Sequence, residues 1–273
     1  MLGNCPISPP FGWGAQKPPP GVGIDWSHPL ARGLRWFVPF NEGAGLTASD
    51  VVSALRGVLT NEPSWTGSRG VAFDGANDRV DFSPIFNPLG KAWTFACRAT
   101  LTSSQVGYLF SINQAGNAAY AMVVAANIQS VGNVYVEAKN AGAAYTAGIF
   151  TLNAPASLTV TCDAPNTSGS NLRFYINGRP VSATIASSGA TPAPAAGNWI
   201  VGGRSYDNTR NVPGIIEWTS LWDRVLSPSE VDLHTAQPYC MFESGWPVAG
   251  PSGSRPRIDG SLASGTQLLG AVV

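Results

Sequence analysis

Apolar and polar residues alternate singly along much of the chain. In WTFACRATL (93–101), Trp93, Phe95 and Cys97 share one parity, and Thr94, Ala96 and Arg98 share the other. A period of two marks a strand with one buried face. ASLTVTCD (156–163) repeats the pattern with Leu158, Val160 and Cys162 inward. NLRFYINGRPVSATI (171–185) reads as a hairpin. Leu172, Phe174 and Ile176 alternate, and Asn177–Gly178 suits a tight two-residue turn. The other predicted strands are LRWFVPF, GVAFDG, DRVDF, GYLFSI, AYAMVVA, NVYVEAK, AGIFTL, NWIVGG and PGIIEWTSLWDRVL. Many short strands between turn signals, with no βαβ rhythm and no internal repeat, predict an all-β sandwich or barrel.

One helix is predicted, over LSPSEVDLHTA. Ser227 is its N-cap, Pro228 takes the first helical position, and Glu230 completes a capping box. Val231 and Leu233 (or Thr235) would face the sandwich, and Pro238 stops the turn. The same stretch spells EVDLH (230–234), a pair of carboxylates of the kind that sugar-cleaving β-sandwich enzymes place on a strand. On a helix, residues i and i+2 diverge by roughly 200°. Glu230 and Asp232 therefore cannot converge on one bond, and His234 stands where a third carboxylate would be needed. No catalytic residue is predicted, and the chain is not expected to be an enzyme.

Composition adds a constraint. Sixteen basic and sixteen acidic residues cancel, so nothing global points to nucleic acid or an anionic membrane. Charged residues are 12% of the chain against a usual share of roughly 25%. That fits either a surface buried in an assembly or one solvated through Gly and Ser. The ends depart from the strand pattern. Residues 1–33 are proline-rich and extended, yet Phe11, Trp13, Ile24 and Trp26 call for burial. Residues 243–273 are rich in Gly, Ser and Pro, carry Trp246, and end in LLGAVV. The organisation predicted is an N-terminal arm (1–33), a sandwich (34–242) and a C-terminal tail (243–273). Phe11, Trp13, Ile24, Trp26 and Trp246 are the candidate anchors for a partner surface.

No leader is expected, and the longest apolar run, Ala118–Ala126, is far short of the roughly 18 residues of a membrane span. Cytoplasmic synthesis follows. Cys5, Cys97, Cys162 and Cys240 form no C-x-x-C motif. Cys97 and Cys162 fall at core parity. Cys5 and Cys240 could pair, which cytoplasmic synthesis disfavours.

Four segments together resemble the laminin-G-like branch of the concanavalin A-like lectin/glucanase folds. They are GVAFDGANDRVDF (70–82), WTFACRA (93–99), LRFYINGRPV (172–181), and WIVGGRS with GIIEWTSLWDRVLSPSEV (199–231). The resemblance implies a two-sheet antiparallel jelly-roll sandwich over 34–242. IDWSHPLARGL (24–34), FNEGAG (40–45) and AQPYCMF (236–242) are similar to the start and close of laminin-G-like proteins encoded by bacteriophages. That second resemblance implies a virion structural protein, first of all a capsid decoration (cement) protein. It would sit on the capsid surface after synthesis in the bacterial host cytoplasm. Its arms would bind the major capsid protein or other virion proteins, and it would be a homo-oligomer, a trimer by analogy. The alternative is a glycan-binding module on the head, tail or fibre for host attachment.

The glycan candidates are Tyr206, Asp207, Asn208 and Arg210 in GGRSYDNTRN (202–211), with Trp65 as a second rim position. An aromatic ring beside amides and a carboxylate is what a sugar needs, although a hydrated turn has the same composition. Asp74, Asp78 and Asp81 do not form a calcium loop with counted ligands. No metal and no cofactor are expected. His28 and His234 read as structural, and the Asn166 glycosylation spelling as a chance match.

Overall fold

A computed structural model describes residues 13–88, 90–114, 120–127, 132–138, 142–146, 150–163, 171–187, 196–204 and 210–243. Predictions on Cys5, Phe11, Asn166, Tyr206, Asp207, Asn208 and Trp246 lie outside the described residues.

The first strands are β1 (Leu34–Val38), β2 (Thr47–Ser49), β3 (Arg56–Thr60), β4 (Ser64–Trp65), β5 (Val71–Asp74) and β6 (Arg79–Phe82). Next come β7 (Trp93–Leu101), β8 (Gly107–Gln114), β9 (Tyr120–Ala126), β10 (Val134–Ala138), β11 (Gly142–Thr146) and β12 (Pro155–Cys162). The last are β13 (Leu172–Ile176), β14 (Arg179–Val181), β15 (Thr184–Ser187), β16 (Ala196–Val201) and β17 (Pro213–Trp222). A single α-helix, α1 (Pro228–Ala236), follows them.

Two antiparallel sheets form the sandwich. One has eight strands in the order β14-β13-β12-β7-β17-β5-β4, with β1 also paired to β17. The other has nine, ordered β15-β11-β10-β9-β8-β16-β6-β3-β2. Their facing sides enclose an aromatic core. The Trp36 ring lies 5.5 Å from Phe82 and 5.3 Å from Trp199 in edge-on geometry, and Phe95 stacks on Phe110 at 4.8 Å. Offset and edge-on pairs suit ring quadrupoles. Cys97 is a buried free thiol within this core. The alternation predicted a sandwich or barrel and the family resemblance a two-sheet antiparallel sandwich, and the two-sheet sandwich is the fold observed.

Three details differ from the sequence expectation. Strands β2, β3 and β4 went unpredicted because they are short and bring few apolar side chains to the core. Of the predicted strand AGIFTL, the described residues 150–152 lie outside any strand. The ladder partner of β10 is the earlier GAAYT, with Ala144 opposite Val136, while Phe150 enters the core from outside any strand. Finally, β7 is buried on both faces apart from Arg98, rather than half-buried. Helix α1 and the N-terminal segment cover the outer face of the eight-stranded sheet. There Ala96, Trp218 and Trp222 join Phe37, Val231, Tyr239 and Phe242 in a second apolar cluster.

The helix starts as predicted. The Ser227 hydroxyl accepts from the Glu230 N–H, and the Glu230 carboxylate accepts from the Ser227 N–H at 2.8 Å. Its buried residues are Val231 and His234, one turn apart, while Leu233 packs partly buried against the same cluster and Thr235 is half-buried. Asn177 (φ 47°) and Gly178 (φ 82°) make the tight β13–β14 turn.

The described part of the N-terminal segment lies on its own chain. Ile24 bridges Phe242 antiparallel, and the Asp25 N–H donates to Met241 O at 2.9 Å. The Glu243 N–H donates to Gly23 O, and the Trp13 indole N–H donates to Glu243 O, each at 3.0 Å. These bonds satisfy backbone groups that an extended proline-rich segment would otherwise leave to water. Among the described residues no helix is long and apolar enough to cross a membrane.

Candidate functional site

The site grows from a seam in the eight-stranded sheet. β17 pairs with β7 along one edge. Along its other edge it is shared, with β5 opposite Pro213–Ile216 and β1 opposite Thr219–Trp222. Glu217 and Trp218 fall in the gap between those two partners. Against β7 the register slips between Ile216 and Trp218, which leaves Glu217 as the extra residue of a bulge. A bulge reverses side-chain parity and re-aims neighbouring groups. Ile216 therefore enters the sandwich core, while Trp218 joins the outer cluster.

Lys17 closes the seam. Its ammonium donates to Phe40 O at 3.1 Å, Arg69 O at 2.5 Å and Glu217 O at 2.6 Å. All three of its protons thus meet carbonyls from the ends of diverging segments, each of which would otherwise need another donor. Phe40 itself sits at φ 46°, a region unusual for a bulky side chain. Its fully buried ring and its bonded carbonyl hold it there. Burial pulls the Lys17 pKa down to about 7, against the upward pull of Glu217 and Glu42.

Over the seam lies a groove of about 520 Å³, bounded by Gln16, Lys17, Arg69, Arg98, Glu217 and the α1 end near Tyr239. The Glu217 carboxylate, 15% exposed, is shared by two guanidinia. Arg69 Nε lies 3.4 Å from one oxygen and Arg98 Nε lies 3.2 Å from the other. Arg98 is braced further by Nη1 donating to Ser157 Oγ at 3.2 Å. Burial, and then Glu217, push the Tyr239 hydroxyl pKa well up, so it stays protonated. The groove therefore offers fixed N–H donors beside one carboxylate acceptor, within the size range of small-ligand sites. Trp218 and Tyr239 are almost wholly buried, so their rings support the site instead of stacking on a ligand.

His234 lies in the cluster behind that wall. Its ring is 4.8 Å from Trp218, 4.9 Å from Trp222 and 6.1 Å from Phe37. Neither ring nitrogen has a hydrogen-bond partner, and burial pulls the pKa down to about 3. His234 is a neutral packing group. His28 has a local role, its Nδ1 accepting from the Leu30 N–H at 3.2 Å.

The predicted glycan residues do not meet in this groove. Trp65 packs partly buried against the core, and its indole donates to Gly45 O at 2.8 Å. Arg210, the described member of its loop set, places its guanidinium 5.9 Å from the Tyr108 ring on the outer face of the nine-stranded sheet. Arg204 approaches the same ring at 5.2 Å, and Tyr108 is only 2% exposed, so that aromatic face is already covered. Asp74 and Asp78 are tied into a turn, with the Asp74 N–H donating to Asp78 Oδ2 at 2.9 Å. Among the described residues no three His, Cys, Asp or Glu side chains cluster as metal ligands would.

Of the described partner anchors, Ile24 is 3% exposed and Trp13 packs against the outer cluster, both within this chain. Trp26 is 59% exposed, beside a groove of about 440 Å³ that includes His28, Arg32 and Arg35. The site residues missed from sequence are Lys17, Arg69, Arg98 and Glu217. One signal was present: Lys17 is the only cation in the first 31 residues, set among apolar and proline residues.

Comparison with known proteins fits this architecture. Residues 74–232 match a family model, Laminin_G_3, of the concanavalin A-like lectin/glucanases superfamily. The chain belongs to that family. No curated protein matches it by sequence. Similar solved structures include Trypanosoma rangeli sialidase in complex with 2,3-difluoro-KDN, at 17% identity and TM-score 0.57. That likeness covers 75% of this chain and 32% of the sialidase. A mutant of the same sialidase displaying trans-sialidase activity aligns at 16% identity and TM-score 0.58, over 81% of this chain and 36% of its own. The receptor binding domain of botulinum neurotoxin mosaic serotype C/D aligns at 10% identity and TM-score 0.55, over 76% and 51%. This chain thus spans about a third of the sialidases' length. At these identities the likeness establishes the fold alone.

One expectation needs correction here. The chain was expected not to be an enzyme, on the ground that EVDLH lies on a helix. Its structural neighbours are sialidases, so the fold gives no ground for that exclusion, and the link to their activity is weak. What stands is local: the Glu230 carboxylate caps α1 and pairs with Arg224 Nη2 at 2.7 Å.

Proposed function

We propose that the chain is a carbohydrate-binding module whose site is the groove over the β17 seam. The observation that carries this reading is the Arg69–Glu217–Arg98 array, fixed in a groove of about 520 Å³ on a lectin/glucanase-type sandwich. A sugar ring offers hydroxyls that both donate and accept. A carboxylate held between two guanidinia meets such groups without having to be ordered first. The test is a glycan array probed with the full chain and with Glu217→Gln, which keeps the side-chain shape. The wild type is expected to bind a restricted set of glycans, with signal reduced at least about tenfold in the variant. Unchanged thermal unfolding would show that the variant is folded. A wild-type chain silent on every glycan would end this reading.

A second reading concerns where the module works. Two of the segments similar to phage proteins, 24–34 and 236–242, meet where Ile24 bridges Phe242, and the third, 40–45, bonds to the N-terminal segment through Asn41 Nδ2 donating to Pro18 O at 2.7 Å. They belong to one supporting unit beside the groove. We infer a virion component, held to the major capsid protein or another shell protein, with the exposed Trp26 as its anchor. A capsid-surface location and a homo-oligomer, with a trimer as first guess, belong to the same proposal. An exposed indole next to two arginines is the composition of an interface hot spot. Trp26→Ala is expected to leave the unfolding temperature unchanged and to abolish co-purification with phage particles. Particles lacking the wild-type chain would sink the virion reading.

A further inference from the structure

The charges around the groove specify a ligand class, and this step rests on the carbohydrate-binding reading above. Arg69 and Arg98 share one carboxylate, Glu217, and Lys17 lines the same groove. The Lys17 protons all point at carbonyls, so its charge acts through its field and leaves no donor for a ligand. The two arginines differ. Arg69 engages Glu217 through Nε, and Arg98 engages Glu217 through Nε and Ser157 through Nη1. Among the described residues, neither Nη of Arg69 and not Nη2 of Arg98 makes a further hydrogen bond. Both guanidinia are partly open to water, with side chains 52% and 33% exposed. Their terminal N–H groups are the available donors of the site.

We propose that the groove selects sugars that carry a carboxylate, with Arg69 and Arg98 binding the carboxylate and Glu217 accepting from a ring hydroxyl. The planar guanidinium matches a carboxylate through paired N–H donors, a fit that a neutral hydroxyl cannot reproduce. Glu217 holds both guanidinia by their Nε atoms, so neither Nη of Arg69 nor Nη2 of Arg98 is used by it. Glu217 engages only the Nε side of each guanidinium, and Glu42 acts on Lys17, so a neutral sugar would leave the terminal N–H groups of the two arginines without a charged acceptor. A bare anion would answer the charge but would not use the Glu217 acceptor or fill the groove.

The test is calorimetric titration of the full chain with trigalacturonate and with sialyllactose. Each is run against its own methyl ester, where the sugar is unchanged and the carboxylate masked. Sodium sulfate serves as the bare-anion arm. At least one acid is expected to bind about tenfold or more tighter than its ester, with the difference shrinking as salt is raised. Arg69→Gln, a change at a half-exposed side chain, is expected to bring the acid down to the level of the ester. Equal affinity of acid and ester in both pairs would overturn the proposal, as would an Arg69→Gln chain that still prefers the acid. Sulfate displacing the sugar at the sugar's own affinity would also overturn it, by showing a simple anion site. A groove that binds esters and acids alike would keep the carbohydrate reading and lose only this step. No sugar bound at all would remove both.

Discussion

A chain that begins at residue 28 is expected to lose on the order of 5 kcal/mol of stability, a large part of what a domain has. The deleted segment includes Ile24, whose full burial is worth about 1.5–3 kcal/mol. It also includes Lys17, and without it the carbonyls of Phe40, Arg69 and Glu217 lose a shared donor. The bonds to Phe40 O and Glu217 O are partly buried, and an acceptor orphaned there costs up to about 1–3 kcal/mol, while Arg69 O is open to water. Trp13 and its bond to Glu243 O go as well. Denaturant unfolding would measure the loss. Deletion of residues 1–12 alone is the control, and the further loss between the two deletions is the part that belongs to residues 13–27. If the longer deletion leaves the midpoint where the shorter one does, the segment is a passenger and the seam does not need Lys17.

The second large effect is with pH. His234 has its pKa pulled to about 3 by burial, below the model-peptide value of about 6.5 that the unfolded chain would show. The unfolded chain therefore takes up the proton first. The His234 contribution is full above about pH 6.5 and is lost as the pH drops toward 3. At pH 5 the loss is about 2 kcal/mol, at 1.36 kcal/mol per unit over the interval from 6.5. His28, whose pKa is also lowered by burial, acts in the same direction. Unfolding at pH 7 and pH 5 should show the drop in the wild type. It should shrink to the His28 part in His234→Leu, which keeps an apolar group between Trp218 and Trp222. A wild type equally stable at both pH values would mean that His234 is solvated or paired.

Much of the sandwich was legible because its core strands alternate. The parity of Phe95, Cys97, Leu158, Val160, Leu172 and Phe174 put each on the correct face. The capping box was legible because it is written in four consecutive residues. The seam was not. It depends on β1 and β5 sharing one edge of β17, a relation between residues about 140–190 positions apart. The bulge at Glu217 leaves no local mark, and a reading by strict alternation would have sent Trp218 to the wrong face. The double-sided burial of β7 was hidden for the same reason, since its outer cover comes from both ends of the chain. Sugar-site reasoning went to a polar loop, where aromatic and amide residues adjoin in sequence. The groove instead assembles Lys17, Arg69, Arg98 and Glu217 from four separate segments.

Hydrogen exchange with and without a bound oligosaccharide, taken from the array, tests the central claim most directly. Added protection is expected in residues 14–18, 67–70, 96–99 and 215–219, the segments that wall the groove. Protection confined to 202–211 and to the outer strands of the nine-stranded sheet, with those four segments unchanged, would contradict it and move the sugar site to the Arg210 loop.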